Sequence, residues 1–133
     1  MAALRHFSDL DVYRDAFRLG IRVWKISRGF PPDERFALTD QVRSSARSIG
    51  ANIAEAWAKR RYRAHFVSKL SDADAELRET EHWLACAFKH GYLSSEAYHD
   101  FRKDIGLIGR RLGAMMAQPG PFVLKTRESI GDI

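Results

Sequence analysis

The sequence predicts an all-α protein, an up-down-up-down antiparallel four-helix bundle. Three observations carry this reading. Proline occurs only as Pro31, Pro32, Pro119 and Pro121, so the long segments between lack the strongest helix breaker. Apolar residues from Phe66 to Ala87 recur at spacings of three and four, and nowhere does the chain alternate apolar and polar residues as a strand would. The connections left between helical segments are short, which sets consecutive helices antiparallel.

The first helix is expected over about residues 8–28, with Ser8 as N-cap and Asp11 three residues on. It carries two apolar stripes. Leu10, Tyr13, Phe17, Ile21 and Trp24 form one, and Val12, Ala16, Leu19, Val23 and Ile26 form another roughly 140° away at about 100° per residue. One bundle core does not readily bury both, so the second of these stripes is expected to be buried between identical subunits. GFPPD at 29–33 then breaks the chain and restarts it, with proline in a first turn.

Helix two is expected over about 33–59, with Val42, Ala46, Ile49, Ile53 and Trp57 as its core stripe. Arg43, Arg47 and Arg61 align on an adjoining face. Gln41, Ser48, Asn52, Glu55 and Lys59 form a polar row whose spacing suits a buried helix-to-helix network. Helix three, about 61–90, places Phe66, Leu70, Ala73, Leu77, Thr80, Leu84 and Ala87 on one seam and stops at Gly91, which suits a left-handed end. Ser94 or Ser95 caps helix four, about 94–118. On that helix Gly106, Gly109 and Gly113 share a side, and a close helix approach would account for them. The bundle domain thus spans 1–118, and 119–133 is expected as a loose tail.

Charge is polarised along the chain. The 133 residues carry 22 Lys and Arg against 17 Asp and Glu, a net charge of +5 that favours acidic partners. Between 41 and 70 there are seven basic residues against the single acid Glu55, whereas 71–81 holds five acids against Arg78. The basic block is the candidate nucleic-acid-binding surface, through Arg43, Arg47, Lys59, Arg60, Arg61 and Arg63, with Tyr62 available to stack on a base. The competing reading of the same blocks is ion pairing between helices or subunits.

QVRSSARSIGANIAEAW at 41–57 resembles the Q-x-R-R-A-x-x-S-I-x-x-N-I-A-E-G signature of the four-helix bundle protein family encoded in intervening sequences of bacterial large-subunit ribosomal RNA genes. FSDLDVY at 7–13, FPPDE at 30–34 and ETEHWLACAFKHGYL at 79–93 extend the resemblance from about Phe7 to Ala117. Ala56 stands where the family usually has glycine, and Ala75, Glu76 and Leu77 replace its usual Gly-Ser-Leu. The resemblance implies a bundle that assembles as a ring-shaped homopentamer. It also implies kinship with accessory proteins of diversity-generating retroelements, which bind nucleic acid and a reverse transcriptase. The expected partners are therefore other copies of the chain, RNA or DNA, and a reverse transcriptase or another protein.

A non-catalytic role is expected. The pairs Glu79-x-x-His82 and Glu96-x-x-His99 echo di-iron bundles, but their glutamates should stand on the order of 15 Å apart along the axis. Arg60 and His65 match the spacing of a helical-bundle ribonuclease element, a pairing that arises readily in an arginine-rich chain. No phosphate-cradling glycine loop is present, so no cofactor or metal is expected. The lone Cys86, with no charged-then-apolar leader, suggests a reducing cytoplasm, and charges interrupt every apolar run before it reaches membrane-spanning length.

Overall fold

The computed structural model describes residues 3–125, which fold into four long helices with no strand among them. A 3-10 turn, Phe7–Asp9, precedes α1, Asp11–Ser27. His6 rather than Ser8 caps that turn, because the Ser8 amide donates to the His6 ring while the Asp9 carboxylate accepts from the Arg5 and His6 amides. Those two amides hold the Asp9 carboxyl below the usual range. Leu10, in extended conformation, separates the turn from α1.

The second helical segment starts in steps. A 3-10 turn at Pro32–Glu34 passes into a π turn at Arg35–Thr39, and only then does α2 run regularly from Asp40 to Ala58. The proline pair favours a tight first turn. The π turn buries Leu38 and Thr39 and leaves Phe36 outside, with the Arg35 guanidinium 5.1 Å from its ring centroid. Helix α3, Arg63–Lys89, ends at Gly91, whose φ of +82° is the left-handed conformation that only glycine adopts cheaply. Ser94 caps α4, Ser95–Ala117, by accepting from the Ala97 amide at 3.1 Å.

Each helix packs against two others: α1 on α2 and α4, and α3 on α2 and α4. The core is a single apolar column. The α3 seam read from the sequence is fully buried at all seven positions, and α2 contributes Val42, Ala46, Ile49, Ile53 and Ala56, each 1% exposed or less. Burying each of the larger side chains of this core, Phe66, Leu70, Leu77 and Leu84 of α3 and Val42, Ile49 and Ile53 of α2, stabilises by about 1.5 to 3 kcal/mol. Inside it one polar contact is closed off from water. The Thr80 hydroxyl stands 2.9 Å from both the Ser45 Oγ and the Glu76 carbonyl, and Ser45 donates to the Val42 carbonyl.

The polar row on α2 is not that buried network. Ser48 and Asn52 bond back to carbonyls of their own helix, Gln41 and Glu55 are exposed, and Glu55 reaches Lys69 of α3 at 2.6 Å. The glycine row on α4 also divides. A Cβ on Gly109 would meet Leu77 of α3 at ordinary contact distance and the mobile end of the Arg78 side chain, whereas one on Gly113 would have no neighbour within 4 Å.

The first residues of the expected loose tail are docked instead. Pro119 is buried, Phe122 stacks on Phe66 with ring centroids 6.1 Å apart, and the Leu124 amide donates to the Arg60 carbonyl. The apolar side chains of Phe122 and Val123 find a place against the bundle end that a charged segment would not. The remainder of that tail, from residue 126, lies outside the described residues.

Candidate functional site

The basic residues fall into two groups. Lys59, Arg60, Arg61 and Arg63 occupy the corner between α2 and α3, while Arg43 and Arg47 lie near the opposite end of α2. The 12 to 16 residues between Arg47 or Arg43 and Lys59 correspond to about 18 to 24 Å at 1.5 Å per residue. Six candidate residues therefore form two surfaces.

At the corner, α2 ends without a glycine. The Lys59 amide still reaches the Glu55 and Ala56 carbonyls, Arg60 and Arg61 make the turn, and Tyr62 is extended ahead of α3. Tyr62 is 56% exposed, and its ring lies 5.2 Å from that of His65. No side chain caps the start of α3 and no acid stands in its first turn, so the positive helix end adds to the surrounding cations. Lys59, Arg61 and Arg63 are exposed and make no ion pair among the described residues.

Arg60 is held differently. Its Nε donates to the Trp57 carbonyl at 2.8 Å and its guanidinium lies 3.5 Å from the Trp57 ring centroid. Burial lowers its pKa from the ordinary guanidinium value, though such a group stays charged at any working pH. Trp57, expected in the core, is thus half-buried beneath an arginine. The pairing joins residues three apart on one helix turn, and that spacing was its only signal in the sequence.

The second surface lies between α1 and α2. The second stripe of α1, expected between subunits, instead enters the core through Val12, Ala16, Leu19 and Val23 together with Leu10, because it is the face packed on α2 and α4, while Tyr13, Phe17, Ile21 and Trp24 of the first stripe line an open groove of about 640 Å³. Gly50, Ala51 and Ala54 of α2 form its other wall. Phe17 is 57% exposed and Trp24 38%, an apolar strip unusual on a surface that faces only water. Arg47 lies at the edge of this groove and borders a polar hollow with Asp40, Arg43, Ser44 and Ser48. Arg43 donates through Nε to Ser27 Oγ at 2.7 Å, tying α2 to the end of α1.

The residues that suggested catalysis are dispersed. Glu79, His82, Glu96 and His99 are all exposed, and no group of three or more His, Cys, Asp or Glu that could hold a metal occurs among the described residues. His65 pairs with Tyr62 while the Arg60 guanidinium lies on Trp57. Cys86 is half-buried with its sulfur 3.7 Å from the His82 ring.

The acids of α3 are partly neutralised. Asp72 pairs with Lys69, and Asp74 and Glu81 with Arg78, but Glu76 and Glu79 have no cation within ion-pair distance among the described residues. Partial burial and the neighbouring Glu79 carboxylate hold the Glu76 carboxyl above its usual range.

These features sit within a stretch similar to known proteins. The family model described as 23S rRNA-intervening sequence protein matches residues 8–114. Among solved structures, the chain is similar to a protein with unknown function from the S23 ribosomal protein family of Bacteroides thetaiotaomicron. Identity is 29% with a TM-score of 0.71, covering 79% of this chain and 97% of that one. No curated protein matches the chain.

Proposed function

We propose, since the chain belongs to the 23S rRNA-intervening sequence protein family, that it is a non-catalytic oligomeric four-helix bundle acting as a nucleic-acid-binding accessory subunit. The observation that carries this reading is the α2–α3 corner. Lys59, Arg61 and Arg63, which make no ion pair among the described residues, surround an exposed Tyr62 at the uncapped positive end of a 27-residue helix. Such a surface suits phosphate contact with a base stacked on the ring, and it has no groove-reading element. Arg60 supports the corner from beneath through Trp57. Arg43 and Arg47 stand apart with the apolar α1–α2 groove and serve assembly.

The assembly is a cytoplasmic homo-oligomeric ring, a pentamer, of up-down-up-down bundles. Contacts between helices support that topology, since Ser27 meets Arg43 while Tyr13 lies against Gly50, Ser45 meets Thr80 while Glu55 meets Lys69, and Asp15 meets Arg111 while Arg22 meets Asp104. No helix among the described residues is long and apolar enough to cross a membrane. As an accessory subunit the ring acts beside an enzyme that copies or processes nucleic acid, such as a reverse transcriptase.

Fluorescence anisotropy at about 50 mM salt, where phosphate contacts are least screened, tests the reading. The protein should bind structured RNA or duplex DNA with little sequence preference. Three phosphate contacts per subunit should contribute about −2 to −3 to the logarithmic salt slope for each subunit that engages the nucleic acid. Reversing Lys59, Arg61 and Arg63 to Glu should abolish binding with the oligomer's mass unchanged. Absence of binding to single-stranded RNA, structured RNA and duplex DNA at tens of micromolar wild-type protein would refute the nucleic-acid role and leave a protein-interaction scaffold.

A further inference from the structure

The bundle has four sides, and two adjacent sides are complementary. The α1–α2 side carries the exposed apolar groove with Arg47 at its edge and Arg43 beside it. The α2–α3 side carries Glu76 and Glu79, which have no cation within ion-pair distance among the described residues. Neither set of charges finds an opposite partner among the described residues of its own chain, although other acids of α3 do.

Their heights agree. The Ser45–Thr80 contact fixes a common level on α2 and α3, and the Glu55–Lys69 pair shows that rising residue number on α2 runs with falling number on α3. At 1.5 Å per residue, Arg47 lies about 3 Å above that level, Glu79 about 1.5 Å and Glu76 about 6 Å, all in the same direction. Copies related by rotation about an axis parallel to the bundle keep every residue at its own height. Arg47 of one copy would then face Glu79 and Glu76 of the next without any axial slip.

We infer that the α1–α2 groove is the docking site for the α2–α3 side of a second copy of this chain, with Arg47 of one copy paired to Glu79 of its neighbour. The inference rests on the proposed homo-oligomer and specifies how it is built. The interface is heterologous, because the two surfaces differ. Adjacent sides of a four-sided bundle turn each successive copy by about 72 to 90°, which closes rings of five or four, whereas opposite sides would propagate a filament. Phe17, Ile21 and Trp24 supply the apolar contact, and the small Gly50, Ala51 and Ala54 leave room for the neighbour's helix to approach. The Arg47–Glu79 pair fixes which side meets which, the role at which interfacial charges are most effective.

Charge exchange tests the pairing on the full chain. Arg47→Glu and Glu79→Arg should each raise the concentration of half-dissociation about tenfold or more, since each sets like charges face to face. The double variant R47E/E79R should return it to the wild-type value. Both residues are exposed, so the helical circular dichroism of all three variants should match that of the wild type, and analytical ultracentrifugation then reads assembly alone. A wild-type protein that stays at the mass of one chain at every concentration refutes the oligomer itself. An assembled wild type whose mass ignores both single exchanges, or whose double variant fails to recover, refutes this pairing while the oligomer stands. A wild-type mass of two chains indicates a two-fold interface and likewise overturns the heterologous contact.

Discussion

Replacing Thr80 by valine probes the one buried polar contact between α2 and α3. The side chain is fully buried, and its hydroxyl lies 2.9 Å from both the Ser45 Oγ and the Glu76 carbonyl. Valine keeps the branched shape and nearly the volume, so no cavity opens. The Ser45 hydroxyl keeps its own acceptor, the Val42 carbonyl at 3.2 Å, and the Glu76 carbonyl belongs to the helix ladder. No donor is orphaned, and the cost should be that of one net hydrogen bond, about 1 kcal/mol. Thr80→Ala also removes a buried methyl and leaves a hole, so about 2 to 3 kcal/mol is expected. Ser45→Ala should cost about 1 kcal/mol, because Thr80 then turns to Glu76. The double variant S45A/T80V should cost little more than either single one, a coupling of about 1 kcal/mol, since one shared interaction is removed twice. Urea denaturation followed by circular dichroism at a fixed protein concentration measures all four values. A Thr80→Val cost above about 3 kcal/mol, or strict additivity in the double variant, would refute the view that each hydroxyl has an alternative on its own helix.

Two further outcomes follow from the geometry. Gly113→Ala should stabilise by about 1 kcal/mol, because a Cβ there meets nothing within 4 Å and the site lies inside α4; a lower denaturation midpoint would show that the position is closely approached in the assembly. The Tyr92 hydroxyl donates to the Glu34 carboxylate at 3.0 Å, and this bond raises the tyrosine pKa above its ordinary value of 10.0. A folded-state value above the unfolded one means that the contribution is complete below about pH 10 and is lost as pH rises through the folded value. Stability measured at about pH 8 and pH 11 should therefore fall further in the wild type than in Tyr92→Phe, and equal losses would refute the assignment.

The α-helical class, the buried seam of α3, the core positions Val42, Ala46, Ile49 and Ile53, the stop at Gly91 and the cap at Ser94 were all legible in the sequence. Each depends on periodicity or on the local chemistry of one residue type, and neither needs a distant partner. The corner of basic residues was legible for the same reason, since Lys59 to Arg63 are neighbours in the chain. The stepped start of α2 and the docking of Phe122 on Phe66 were not, because a π turn and a returning segment depend on how the bundle end closes.

The two stripes of α1 mark the boundary between these levels. Periodicity shows that both exist, and it cannot rank them, because the rotation of a helix about its own axis is set only by what packs against it. Packing on α2 and α4 turns Val12, Ala16, Leu19 and Val23 inward and leaves Phe17, Ile21 and Trp24 outside. The arginines divide in the same way. Sequence placed Arg43, Arg47, Lys59, Arg60, Arg61 and Arg63 in one basic block, while the length of α2 separates them into a groove edge and a corner, and Trp57 holds Arg60 apart from the exposed cations of that corner. Residue type and spacing thus determined which charges this protein carries, and the tertiary structure alone decided which of them share a surface, because that depends on distances through space.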